Sequence, residues 1–96
     1  MRIRWLPRGK ASVDAQLNYI ALRNPFAAVV VGDRIRGAVD QLQDHPLSGR
    51  AGRVEGTREL VVTGSPYIIV YSVDDDAVLI LRVLHGKQRW VATRKE

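Results

Sequence analysis

Residues 57–84, TRELVVTGSPYIIVYSVDDDAVLILRVL, decide the fold. Thr57 to Thr63 alternates polar and apolar residues, with Leu60 and Val62 on one face. Gly64, Ser65 and Pro66 mark a turn. Tyr67 to Val73 is built from β-branched and aromatic residues, the composition of a strand. Asp74, Asp75 and Asp76 form a second turn, because Asp tolerates the backbone angles that turns require. Ala77 to Leu84 is almost wholly apolar, as expected of a strand covered on much of both faces. Three strands joined by two tight turns make an antiparallel meander.

Working outward, Arg2 to Leu6 alternates through Trp5 and reads as a short half-buried strand closed by Pro7. From about Lys10 to Arg23, Val13, Leu17, Ile20 and Ala21 draw one apolar helical stripe. Ser12 fits an N-cap, although Lys10 or an earlier residue serves equally as the start. Asn24-Pro25 stops this helix, since proline drives the residue before it out of helical geometry. Pro25 then opens a second helix, to about Gln43, where its missing N–H is no loss. Ala28, Val31, Ile35, Ala38, Val39 and Leu42 fall on one face of it. Gly32 and Gly37 each cost about 1 kcal/mol inside a helix, which is tolerable where two helices pack closely. The short turn predicts a helix hairpin. Asp44 to Gly56 is a proline- and glycine-rich loop, and Lys87 to Glu96 is a polar tail with one Trp. The order is β-α-α-β-β-β: an α+β two-layer fold with a helix hairpin packed on an antiparallel sheet.

Ninety-six residues, 46 % apolar and 26 % charged, make one domain over residues 1–96 with one core, and argue against disorder. Cysteine is absent, which excludes disulfides, thiolate metal sites and cysteine nucleophiles. No apolar run approaches the roughly 20 residues of a membrane span, and none follows the basic N-terminus as a signal peptide requires. The expectation is a cytoplasmic protein with no membrane partner. Fifteen Lys and Arg against ten Asp and Glu give +5, a charge that favours an acidic partner. Twelve of the fifteen are Arg, whose planar fork suits phosphate and carboxylate. A GC-rich genome produces the same bias.

The sequence holds no glycine-rich phosphate loop and no serine in a nucleophile elbow. His45 and His85 lack accompanying ligands, and the Asp74–Asp76 run lacks calcium-loop spacing, so neither metal nor cofactor is expected. What remains is a set of cations around the sheet: Arg50, Arg53, Arg58, Arg82, Lys87 and Arg89. Arg82 interrupts the most apolar strand, where an unpaired guanidinium is expensive. Either Glu59, on an expected neighbouring strand, pairs with it, or Arg82 binds phosphate or carboxylate. Arg58 is open to both readings. His85 is placed for proton transfer or for a hydrogen bond to the adjoining loop. Trp90 is a base-stacking platform or an anchor docking the tail on the core.

Four blocks occur in order: Pro46-Leu47-Ser48-Gly49-Arg50, Gly56-Thr57-Arg58-Glu59-Leu60-Val61-Val62, Pro66-Tyr67-Ile68-Ile69-Val70-Tyr71 and Ile80-Leu81-Arg82-Val83-Leu84-His85-Gly86. Together they resemble the RelE/ParE toxin superfamily, the toxin halves of type II toxin–antitoxin modules, often called plasmid stabilisation proteins. The resemblance covers essentially the whole chain and implies the same β-α-α-β-β-β fold.

RelE-like members cut mRNA on the ribosome, through attack of the ribose 2′-OH on the adjacent phosphate. ParE-like members poison DNA gyrase. This sequence keeps basic residues where RelE-like toxins place theirs: Arg50 or Arg53 in the loop, Arg58 and Arg82 on strands. It lacks the loop lysine, and no tyrosine follows the last strand, where His85 is succeeded by Gly86 and then Trp90. That ending looks ParE-like. The resemblance therefore implies a gyrase poison neutralised by a cognate antitoxin, with Arg50, Arg53, Arg82, Lys87, Arg89 and Trp90 as target-binding residues. The alternative is a ribosome-dependent endoribonuclease with Arg58, Arg82 and His85 as catalytic residues. A non-catalytic nucleic-acid-binding module is a third reading. Antitoxin contact is expected around Tyr19, Phe26 and Val30.

Overall fold

A computed structural model of the chain describes residues 1–86. Strand β1 spans Arg2–Trp5, helix α1 Pro7–Ala21 and helix α2 Pro25–Asp44. Strands β2 (Arg50–Ala51), β3 (Arg58–Val61), β4 (Tyr67–Val73) and β5 (Ala77–His85) follow. The five strands form one sheet in the order β1-β5-β4-β3-β2. The α+β architecture is the expected one, a helix hairpin on a sheet. The sheet is mixed, however, because β1 runs parallel to β5 while β2 to β5 are antiparallel neighbours. The sequence holds no local trace of that long-range pairing.

The elements depart from the sequence expectation in several places. Helix α1 starts at Pro7, not near Lys10, with Leu6 extended at the N-cap position. Proline both stops a strand and suits a helix's first position, and here it does the two jobs at once. Ser12 is thus inside the helix rather than capping it. Helix α2 carries the true side-chain cap, in which Asn24 accepts a hydrogen bond from the Ala27 N–H at 3.0 Å. The loop contains β2, a strand too short for any periodicity to announce.

The helices cover one face of the sheet. Val13 of α1 and Ile35, Val39 and Leu42 of α2 pack with Val62, Tyr67, Ile69, Tyr71, Val78, Ile80 and Val83. Full burial of side chains of this size stabilises by roughly 1.5–3 kcal/mol each, so this layer carries the fold. A smaller cluster on the opposite, open face joins Val70, Leu81 and Leu84 with Leu6, Val54 and Leu79. Gly32 meets Leu17 where the helices approach, with room of 3.6 Å for a methyl group. Among the described residues nothing lies within 4 Å of a Cβ added at Gly37, so the helix packing described does not account for it.

Candidate functional site

The loop from Pro46 to Gly56 is held by three residues of the neighbouring strands. Tyr71 is fully buried, and its hydroxyl donates to the Pro46 carbonyl at 2.8 Å while accepting the Gly49 N–H at 2.9 Å. Gly49 is required there, since a Cβ would lie 2.6 Å from the Tyr71 oxygen. Arg58 donates to the carbonyls of Gly49 at 2.8 Å and Leu47 at 3.4 Å. Glu59 is 3 % exposed and is the buried charge that closes the arrangement. It accepts from the Arg50 guanidinium at 3.2 Å, the Arg53 N–H at 3.0 Å and Arg53 Nε at 3.3 Å. Burial raises the Glu59 pKa, but the hydrogen bonds from Arg53 and Arg50 outweigh it and hold the carboxyl below its ordinary value.

This corrects the expected pairing of Arg82 with Glu59. β4 lies between β3 and β5, so Val70 is the cross-strand partner of both residues. Glu59 faces the same side of the sheet as Arg82 but is bonded to Arg50 and Arg53. One transverse row results, reading Arg50, Glu59, Val70, Arg82 over four strands. Arg50 and Arg53 leave about half or more of their side-chain surface exposed, so each fork keeps outward N–H donors beyond those given to Glu59. At the other end, the Arg82 guanidinium donates to the Leu81 carbonyl at 2.6 Å. Burial, followed by the nearby charge of Arg8, lowers its pKa from the usual guanidinium value.

The candidate catalytic residues do not converge. Arg58 pairs with Tyr71 and lies on the helix-covered side, opposite Arg82. His85 pairs with Tyr67, and the two rings make an edge-to-face contact at 5.7 Å. That also puts His85 on the helix side. Arg58 and His85 are separated by the length from Tyr71 to Tyr67 on β4, about 13 Å at the usual rise per residue, and by two strand spacings. Lys87, Arg89 and Trp90 lie outside the described residues.

At the hairpin tip the surface is apolar. Tyr19 is 59 % exposed and Phe26 77 %. Leu22 and Val29 are exposed beside them in sequence, whereas Val30 is half-buried. Arg23 stacks over the Tyr19 ring, its guanidinium carbon 4.1 Å from the ring centroid. Leu22, at the C-cap of α1, and Val29 both lie off the apolar stripes that mark the helix core in the sequence. That offset was itself the available signal. Between α1, α2 and β1 runs a groove of about 730 Å³ lined by Ile3, Trp5, Val13, Leu17, Ile35 and Val39.

The family model described as "ParE toxin of type II toxin-antitoxin system, parDE" matches residues 3–90. The chain belongs to this toxin family. Among relatives, the Y4kP protein of Sinorhizobium fredii is 47 % identical over 89 residues, covering 93 % of this chain and 92 % of that one. Toxin RelE2 of Caulobacter vibrioides is 38 % identical, covering 85 % and 91 %. Among solved structures, the chromosomal ParDE system of P. aeruginosa matches with a TM-score of 0.78 and 26 % identity, over 86 % of this chain and 92 % of that one. The RelBE2 toxin–antitoxin complex of Mycobacterium tuberculosis matches at 0.61 and 26 % identity, over 88 % and 95 %. The chain is a type II toxin of the ParE/RelE superfamily, and its ParE-family fold is the one the four motif blocks implied.

Proposed function

We propose that this toxin poisons DNA gyrase and is held inactive by a cognate antitoxin. The observation that carries the reading is the scatter of Arg58, Arg82 and His85. Cleavage of RNA through its 2′-OH needs a cation and proton-transfer groups around one phosphate. Here two of the three residues face one side of the sheet and the third faces the other. Arg58 is moreover bonded to loop carbonyls. A protein target asks less of convergence, because an interface works through a few aromatic and Arg anchors spread over a surface. The open-face set Arg50, Arg53 and Arg82, with Lys87, Arg89 and Trp90 of the tail, is the target-binding surface in this reading.

The antitoxin takes the other side. Structural neighbours of this chain come from toxin–antitoxin systems. The exposed apolar tip with Tyr19 and Phe26, continued by half-buried Val30, fits a partner segment that folds on binding.

The test uses purified toxin in two assays, gyrase supercoiling and ribosomal translation of a defined mRNA, each with and without antitoxin. Inhibition of supercoiling alone, relieved by antitoxin, is the expected result. Codon-positioned mRNA cleavage with supercoiling intact would replace this reading by the ribonuclease one. Tight, steeply salt-dependent binding to random duplex DNA, with both assays unaffected, would instead favour a nucleic-acid-binding module.

A further inference from the structure

Strand β5 does not alternate throughout. Val78 and Ile80 pack with the helices, and Leu79 faces the open side. Strict alternation would continue with Leu81 open, Arg82 under α1 and Val83 open. The observed strand breaks phase once. Tyr71 pairs with Ile80 while the preceding Val70 pairs with Arg82, so Leu81 is an extra residue in a bulge. Beyond it Val83 joins the helix-side core and Leu84 the open-face cluster. The bulge is therefore what sends Arg82 to the open face, in line with Arg50 and Glu59.

Helix α1 and its N-cap residue Leu6 meet that bulge at three points spaced three residues apart. The Leu6 N–H donates to the Ile80 carbonyl at 3.1 Å. Gly9 is buried directly above the Ile80–Leu81 peptide, where a Cβ would collide with the Ile80 carbonyl oxygen. Ser12 Oγ donates to the Gly9 carbonyl at 2.8 Å and accepts the Val83 N–H at 2.8 Å. Val83 is fully buried, so without that hydroxyl its N–H would lose this partner in an apolar setting.

We infer that Gly9 and Ser12 are positioning residues of the toxin, a clamp on the β5 bulge that fixes the direction of Arg82. The inference rests on the reading of Arg82 as a target-binding residue only for its consequence in growth inhibition. The clamp itself is a claim about backbone register.

The experiment compares wild type, Ser12→Ala, Ser12→Thr and Arg82→Ala, with amide hydrogen exchange and a growth assay for each. Ser12→Ala should lower protection of the Val83 amide by about 10- to 100-fold, while the Ile69 and Tyr71 amides of β4 change far less. A merely general loss of stability would move all three together. Ser12→Ala should also weaken growth inhibition toward the level of Arg82→Ala, and Ser12→Thr, which restores a hydroxyl, should recover both readouts. Unchanged Val83 protection in Ser12→Ala overturns the clamp, whatever the toxicity. Full toxicity of a folded Arg82→Ala protein overturns instead the place of Arg82 in the target-binding surface, and Val83 exchange still decides the clamp.

Discussion

The loop side of the sheet and the tip of the helix hairpin solve opposite problems. On the loop side, Arg50, Arg53 and Arg58 are bonded inward, to Glu59 and to loop carbonyls, and Tyr71 pins Pro46 and Gly49. At the hairpin tip, Tyr19, Leu22, Phe26 and Val29 are turned outward with large exposed surfaces. The loop side spends part of each arginine fork on the molecule's own shape and keeps the outward donors, whereas the tip leaves its apolar surface for a partner. The difference teaches that a cation cluster in a sequence is a poor guide to a binding surface until its internal acceptors are known. An exposed aromatic patch is the better guide.

The largest expected effect would break the comparison on the tip side. Phe26→Asp should weaken antitoxin binding by about 2–4 kcal/mol, roughly 30- to 1,000-fold, with thermal stability unchanged because the side chain is 77 % exposed. Calorimetric titration of the pair measures this, and wild-type affinity in the variant would remove the tip from the interface. On the loop side, Tyr71→Phe strips the partner from a buried N–H and a carbonyl and should cost about 2 kcal/mol of folding stability. Urea denaturation reports it. An unaltered midpoint would mean that the loop is held by something other than this hydroxyl.

Glu59 sharpens the comparison through pH. Its folded pKa is lowered, so its contribution is complete above the ordinary glutamate range and is lost as pH falls through the lower folded value. Glu59→Gln should therefore cost about 1 kcal/mol at neutral pH, discounted because Arg50 and Arg53 are each roughly half exposed or more. The gap between variant and wild type should narrow at a pH well below the ordinary glutamate range, as the carboxyl protonates through its lowered folded pKa. Denaturation midpoints at the two pH values decide it. Asp74, whose carboxylate accepts the Asp76 and Ala77 N–H groups, also has a lowered pKa and loses its contribution on acidification in both proteins. The smallest effect belongs to Arg2. Its bond to Asp76 joins two exposed side chains, and Arg2→Ala should shift stability by no more than about 0.5 kcal/mol.

The fold was largely legible because its deciding strands are local. β4 has the bounds that composition marks, and β5 runs one residue further, to His85. Less legible was whatever depends on segments meeting at a distance: the parallel β1–β5 pairing, and the two-residue β2 with the loop that brings Arg50 and Arg53 to Glu59. The site suffered most from this. The apolar content of β5 was visible, but one inserted residue reverses the facing of everything after it, so Arg82 could not be assigned a side. Ser12 looked like a helix cap and turned out to serve a different strand.

Gyrase as the target is tested most directly in cells. The toxin is induced without its antitoxin, and chromosomal double-strand breaks and new mRNA 5′ ends are mapped in the same culture. A gyrase poison should produce breaks that vanish on co-expression of the antitoxin, with no new ends inside coding regions. Abundant codon-positioned mRNA ends without chromosomal breaks would contradict it.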